Sequence, residues 1–382
     1  RTRTKKRYKI KIYLYSIILY CKTRGAKKDT KTRPPPPSMS AAGGAAKTEA
    51  PAMQIRWTQA AVPERPPSGG YPLPKPTDFA AVREAAPCAG DLAEEEVLVR
   101  HEFLSPDPYI VSMIMTKPDN VGKTLWSGAV GRVVASRSDK FAVGDAVVGG
   151  GSMGAQQFSK RPAEAVNKLP AGTSISLSAF LGICGMPGVT AYMATRDILG
   201  ADLAGKTIVV TGAAGAVGSA AGQIAKIFGA AKVVGLAGSD EKCKHCTERL
   251  GFDAMLNYKS DDLAAQLAVH GPFHGFYDNT GGPAAVLIKA LLVDGAPVAK
   301  VGSIGGDSSS EDHDGRIKIQ GFFAGGSVDK WPPVIAALAG LVGEGRLLYD
   351  ETVLQGIDAV PEAFIRQRTG KQLGKMVVDL RQ

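Results

Sequence analysis

An apolar run, Thr207-Ile208-Val209-Val210-Thr211, stops in Gly212-Ala213-Ala214-Gly215-Ala216-Val217-Gly218, and a helix-compatible stretch from Ser219 to Phe228 follows without a spacer. Glycines at three-residue intervals let the backbone turn sharply and bring N–H groups close to an anion, while the positive end of the new helix faces the same anion. The spacing is G-x-x-G-x-x-G rather than G-x-G-x-x-G, so the motif gains its weight from context. A second β-rich run at 231–236 completes a strand-helix-strand unit, the outline of a dinucleotide site.

The choice of dinucleotide is read where the second strand ends. An Asp or Glu at that point would accept hydrogen bonds from the ribose hydroxyls of NAD. Here the chain reads Gly235-Leu236-Ala237-Gly238-Ser239, and Lys242 follows within one turn. Small side chains leave room, and an ammonium can pair with a 2′-phosphate, so NADP(H) is preferred over NAD(H). Asp240, which could hold a ribose instead, keeps the second option open.

The elements that must position this site follow from composition and period. The chain has 382 residues, 44% of them hydrophobic, enough for two domains with cores of their own. Its net charge of +10 is unevenly placed. Of 46 basic residues, 13 lie in residues 1–38 beside a single acid, Asp29, which leaves 33 basic against 35 acidic residues in the rest. The body therefore carries no basic surplus that would favour nucleic acid as a partner. The first segment holds a short apolar run at 12–20, too short to span a bilayer, and then Pro34-Pro35-Pro36-Pro37. It reads as a translated basic leader outside the fold, with Met39 or Met53 as the natural start; an organelle-targeting peptide and a membrane anchor are the competing readings. Five cysteines, Cys21, Cys88, Cys184, Cys243 and Cys246, form no regular framework, which suits a reducing compartment such as the cytoplasm. Cys243-Lys244-His245-Cys246 has no second pair to complete a zinc site and reads as two helix cysteines one turn apart.

From residue 40 to 90 the chain is rich in Pro, Ala and Gly, and only 53–57 has strand character. Short β-branched runs at 97–100, 129–135 and 145–148 suggest a small barrel. From 176 onward helices alternate with strands, expected at 207–211, 232–236, 254–257, 275–277, 297–300 and 317–323, as in a doubly wound parallel sheet. After 340, short strands around a helix at 360–368 suggest that the chain crosses back to the first domain. The predicted architecture is α/β, with residues 53–175 and 341–382 in the first domain and 176–340 in the second. Gly150-Gly151-Ser152-Met153-Gly154 fits the G-x-S-x-G nucleophile elbow, but no helix follows it, and a hydrolase would leave the glycines at 212–218 unexplained.

Over roughly 98–380 the chain resembles the zinc-free branch of the medium-chain dehydrogenases/reductases: prostaglandin reductases, leukotriene B4 12-hydroxydehydrogenase and alkenal double-bond reductases. The motifs that carry this include Leu104-Ser105-Pro106-Asp107-Pro108-Tyr109, Gly185-Met186-Pro187-Gly188-Val189-Thr190-Ala191-Tyr192, Asp278-Asn279-Thr280-Gly281-Gly282 and Gly370-Lys371-Gln372-Leu373-Gly374-Lys375. The resemblance implies a GroES-like barrel beside a Rossmann sheet and NADPH as cofactor. Gly215, Ala216, Val217 and Gly218 would line its pyrophosphate, and Lys242 and Tyr258 would hold the adenosine phosphate end. Asn279 and the segment holding Val301, Gly302 and Ile304 would approach the nicotinamide. It further implies homodimers joined through an edge strand, for which 317–323 is the candidate.

The implied reaction is reduction of the C=C bond of an α,β-unsaturated aldehyde or ketone. Hydride delivered to the β carbon leaves an enolate that hydroxyl donors can stabilise without zinc. Between Cys88 and Cys184 the only His or Cys is His101, so the zinc ligands of related alcohol dehydrogenases have no counterpart there. A quinone reductase of the same superfamily, or a non-catalytic NADPH sensor, would share these features. Relatives commonly carry Tyr-Asn after the nicotinamide-side strand, where this chain reads Gly302-Ser303-Ile304-Gly305-Gly306-Asp307-Ser308; their Gly-Lys-Asn is here Gly370-Lys371-Gln372. With that phenol missing, Tyr109 is the first candidate to contact the substrate oxygen, with Ser303 second. Tyr192, inside an apolar helix, reads as packing.

Overall fold

A computed structural model describes residues 53–66, 71–302 and 315–381. The basic segment 1–38, Ser303, Ile304 and the rest of that glycine-rich loop lie outside the described residues. Among the described residues, no helix is long and apolar enough to cross a membrane.

Six strands form one parallel sheet: β8 (Thr207–Val210), β9 (Lys232–Ala237), β10 (Ala254–Asn257), β11 (Gly275–Asp278), β12 (Pro297–Lys300) and β13 (Lys318–Gly321). Their order across the sheet is β10-β9-β8-β11-β12-β13. The winding direction reverses between β8 and β11, which opens a crevice at their carboxyl ends where ligands of doubly wound sheets sit. Sheets covered on both faces need strands that are apolar throughout, and Ile208, Val209, Val210, Val233, Val234, Phe276 and Tyr277 are all buried. The covering helices include α2 (Ala216–Ile227), α3 (Asp240–Leu250), α4 (Leu263–His270) and α5 (Gly282–Ala290), with α1 (Met186–Ala194) preceding the sheet and α6 (Trp331–Gly343) following it. Helix α2 begins three residues before the expected Ser219, because its first turn is built from the glycine motif itself. Among the described residues, strand β13 ends the sheet as an edge.

The other lobe is a seven-stranded sheet built on the long strand β3 (Glu96–Ser105). It pairs antiparallel with β4 (Gly128–Ser136) and β6 (Phe158–Pro162); β5 (Ala146–Gly149) and β7 (Val166–Lys168) extend the β4 side. The last strand, β15 (Lys375–Asp379), adds to the free side of β3 with Val378 opposite Leu104, and β14 (Glu351–Gln355) runs parallel to β15. Helix α7 (Val360–Arg368) joins these two. Strand β1 (Gln54–Gln59) forms a ribbon with β2 (Phe79–Glu84), a strand that the Pro- and Ala-rich composition of 40–90 does not reveal. Trp57 pins the ribbon: its Nε1–H donates to the Ile357 carbonyl at 2.7 Å and its backbone N–H to Ala155 at 2.8 Å.

The two lobes share apolar packing. Phe103, Val130 and Leu181 belong to one cluster with Val210, Ala213 and Ile224 of the parallel sheet and its first helix. The helix can lie so close because Gly218 has no side chain: a β-carbon there would sit 2.2 Å from the Gly212 carbonyl oxygen. Gly218→Ala is therefore expected to cost about 1–3 kcal/mol of stability through overpacking against backbone. Urea unfolding of the two proteins measures this; equal midpoints would contradict the close approach.

Candidate active site

At the carboxyl end of β8 the backbone turns through Gly212, whose φ of +61° is open to glycine at little strain. The Gly215 N–H donates to the Gly212 carbonyl at 3.0 Å, and Ala213 N–H ties the bend to Leu236 of β9 at 2.9 Å. The first intrahelical bond is from Ser219 N–H to Gly215 O, so the N–H groups of Ala216, Val217 and Gly218 precede it and belong to the donor-rich first turn of α2. These three residues and Gly215 thus stand together at the switch point.

On the β9 side, Ser239 caps α3 by accepting from the Lys242 N–H at 3.4 Å. The Lys242 ammonium donates to the Gly370 carbonyl at 2.7 Å, and partial burial pulls its pKa below the ordinary lysine value. Tyr258 is half exposed and lays its hydroxyl over Gly238, 2.8 Å from where a β-carbon would stand. Asp240, the alternative ribose ligand, already accepts from the Asn257 side-chain amide at 2.8 Å.

Across the crevice, Asn279 is oriented by two bonds to Thr211. Its N–H donates to Oγ1 at 3.0 Å and its Nδ2 to the carbonyl at 2.8 Å. Behind it, the wholly buried Asp278 accepts through Oδ1 from the Thr211 hydroxyl and from the N–H groups of Thr280 and Gly281. Val301 and Gly302 both donate backbone N–H bonds to the Asp278 carbonyl, at 2.8 and 3.2 Å. Gly302 passes so near Asn279 that a β-carbon would stand 2.3 Å from its carbonyl oxygen.

The 370–375 segment closes the site from the other lobe. Gly374 N–H donates to Ala214 O at 2.8 Å and pairs with Gly215, directly behind the bend. Gln372 donates from Nε2 to the Gln367 carbonyl at 3.3 Å, while its own Oε1 and that of Gln367 are buried without a partner. Buried amide oxygens are rarely left so, and a ligand with N–H or O–H donors would satisfy them. The bend, the free helix turn, the cation at 242 and these acceptors together suit a phosphorylated dinucleotide.

In the antiparallel lobe, Tyr109 packs against the core with its hydroxyl over Gly151, 2.9 Å from the β-carbon position, beside the Trp126 ring. Burial, with a smaller contribution from Asp107, raises its phenol well above the ordinary value, so it stays a proton donor across the physiological range. Two features were not foreseen from sequence. Lys375 forms a buried ion pair with Asp107, Nζ to Oδ1 at 3.2 Å, and Gln367 Nε2 donates to the Pro106 carbonyl at 2.8 Å. Pro106, Asp107 and Lys375 lie in the two quoted motifs and Gln367 in neither, and nothing local indicated that these segments would meet. Tyr192 is packed edge-on against Phe228 at 5.4 Å between centroids. Ser152 is exposed on an otherwise buried short turn followed by strand β6, not by the helix that a nucleophile elbow requires.

His101 is buried, with Nδ1 2.8 Å from the Gln156 carbonyl and Nε2 2.7 Å from Ser159 Oγ. The carbonyl can only accept, so Nδ1 carries the proton and Nε2 accepts from the serine. Cys243 and Cys246 both turn inward on α3 as free thiols, and burial pushes Cys246 up to about 12. Among the described residues, no three His, Cys, Asp or Glu side chains cluster as metal ligands.

Residues 216–340 match the family described as zinc-binding dehydrogenase, and residues 65–169 match the N-terminal domain of oxidoreductase. NADPH-dependent curcumin reductase of Escherichia coli is 33% identical over 85% of this chain and 96% of its own length. Prostaglandin reductase 1 of Rattus norvegicus is 34% identical over 74% of this chain and 89% of its own. The crystal structure of CurA from Vibrio vulnificus, also solved with NADPH, superposes with a TM-score of 0.75 at 31% identity, covering 86% of this chain and 99% of CurA. The chain belongs to the medium-chain dehydrogenase/reductase family.

The antiparallel lobe is thus the GroES-like half of that fold and the parallel sheet its Rossmann half. The family description speaks of zinc, whereas His101 here is committed through both ring nitrogens to internal partners. Burial pulls its pKa from 6.5 to about 3. Above pH 6.5 the ring is neutral folded or unfolded; as pH falls towards 3, the unfolded ring takes up a proton that the folded one excludes. Stability contributed by the neutral ring is therefore lost on acidification, at up to about 1.4 kcal/mol per pH unit. Denaturant unfolding across this window is expected to show a shallower decline for His101→Gln than for wild type; identical slopes would contradict it.

Proposed function

We propose that this chain, an NADPH-dependent oxidoreductase, reduces the C=C bond of α,β-unsaturated aldehydes or ketones. The observation that carries the reading is the glycine bend at the switch point together with a half-buried Tyr109 in the antiparallel lobe, whose phenol stays protonated. The resemblance to curcumin and prostaglandin reductases supports it. When bound, NADPH supplies the hydride. Gly215, Ala216, Val217 and Gly218 hold the pyrophosphate through backbone N–H groups, and Lys242 turns from the Gly370 carbonyl to the 2′-phosphate. Tyr258 borders the adenosine end. Asn279, Val301, Gly302 and Gln372 surround the nicotinamide side, where the unpartnered Gln372 Oε1 accepts from the cofactor.

Tyr109 donates a hydrogen bond to the substrate oxygen as negative charge gathers there, its raised pKa keeping the proton on the phenol, and solvent then protonates the α carbon of the enolate to complete the reduction. Ser303 and Ile304 complete the nicotinamide side of this proposal, with Ser303 as a second hydroxyl near the enolate. The place of β13 at the sheet's edge among the described residues supports a homodimer joined edge to edge. The free, buried thiols of Cys184, Cys243 and Cys246 support a reducing, cytoplasmic setting.

Tyr109→Phe is expected to lower kcat for an enone about 100-fold, the scale for losing one donor to a developing oxyanion, while the NADPH Kd stays within twofold. Full turnover by the variant would remove Tyr109 from the reaction. Turnover of quinones but not enones by wild type would favour the quinone reductase reading. Tight NADPH binding with neither turnover would favour a sensor.

A further inference from the structure

The buried Lys375–Asp107 ion pair lies outside every role assigned so far. The side chains are 5% and 9% exposed and the contact is 3.2 Å. The other Asp107 oxygen accepts from Ser105 Oγ at 2.8 Å, and the Lys375 ammonium also donates to the Met376 carbonyl at 2.9 Å. Asp107 in turn starts the turn that carries Tyr109, since its carbonyl accepts from Ile110 N–H at 3.0 Å.

Lys375 is held from behind. Its N–H donates to the Asp350 carbonyl at 2.9 Å, and its stem crosses Gly182, where a β-carbon would approach Cγ to 3.3 Å. The residue before it, Gly374, is bonded to Ala214 at the phosphate bend and has φ of +63°; a β-carbon there would stand 1.9 Å from the Asp350 carbonyl oxygen. Asp350 is itself gripped by His245 and Arg249 of α3, at 2.8 and 3.1 Å. An unbroken series of short contacts therefore runs from the bend, through Gly374 and Lys375, to Asp107 and the turn bearing Tyr109.

We infer that Lys375 is a positioning residue, whose charge pair with Asp107 sets where the Tyr109 turn stands relative to the phosphate bend. Buried ion pairs are weak sources of stability compared with apolar side chains of similar volume, and their best-attested use is to fix one arrangement among several. Removing both charges at once should spare the fold and lose the placement. The inference rests on the proposed reaction only where turnover is the readout.

The test uses the full chain with Lys375→Met/Asp107→Leu, and Asp107→Asn as a smaller change that keeps side-chain shape. Expected for the double variant are a thermal midpoint within a few degrees of wild type and an NADPH Kd within about threefold. Its kcat for an enone should fall about tenfold or more, and deuterium uptake at 105–111 should quicken in the cofactor-free protein. Asp107→Asn is expected to move uptake and kcat in the same direction. Wild-type uptake at 105–111 together with wild-type kcat in whichever variants fold would overturn the inference and leave the pair a packing detail. Exchange is read without substrate, so quicker uptake supports the inference even where wild type proves inactive on enones, a result that would count against the proposed function instead.

Discussion

The approach of helix α2 to the end of strand β8 constrains everything else in the molecule. With 2.2 Å between the Gly212 carbonyl oxygen and the place a β-carbon on Gly218 would occupy, no other residue fits at 218 without moving backbone. That closeness turns the first helical N–H groups toward the crevice and lets Ala213 reach Leu236 of the next strand. It also leaves the outer side of the bend open for Gly374, which arrives from the far end of the chain. A helix start, a strand end and a returning segment meet at one turn because three positions carry no side chain.

The polar groups around this turn show how the crevice is kept in shape. Asp278 is wholly buried yet holds three donors on Oδ1, so its neighbour Asn279 is fixed without relying on side-chain packing. On the barrel side, Asp107 and Lys375 neutralise one another in a setting where either charge alone would be costly. Asp278 Oδ2 and the Oε1 atoms of Gln367 and Gln372 are buried without a partner. The two amide oxygens lie at the returning segment, where a ligand's N–H or O–H donors would satisfy them.

Much of the parallel lobe was legible in sequence because its determinants are local. Runs such as Thr207-Ile208-Val209-Val210 are both β-branched and continuous, and the glycines that follow announce the turn within the same dozen residues. Strand β2, reading Phe-Ala-Ala-Val-Arg-Glu, was not legible, since its stability comes from pairing with β1 rather than from propensity. The meeting of Asp107 with Lys375 could not be read either. It depends on β15 aligning with β3 across more than 250 residues of intervening chain, and no residue between them encodes that register. Lys242 was legible as a cation near the second strand, but its resting bond to the Gly370 carbonyl was not, because it too depends on the returning segment.

Lys242 also offers the most direct measurement. In titration calorimetry, the purified chain is expected to bind one equivalent of NADPH and to bind NADH more weakly; Lys242→Ala should weaken NADPH about tenfold or more and leave NADH unchanged, as loss of one charge-assisted bond to the 2′-phosphate requires. No association with NADPH, or an equal loss of both nucleotides in the variant, would contradict a phosphorylated dinucleotide seated on the Gly212–Gly218 bend.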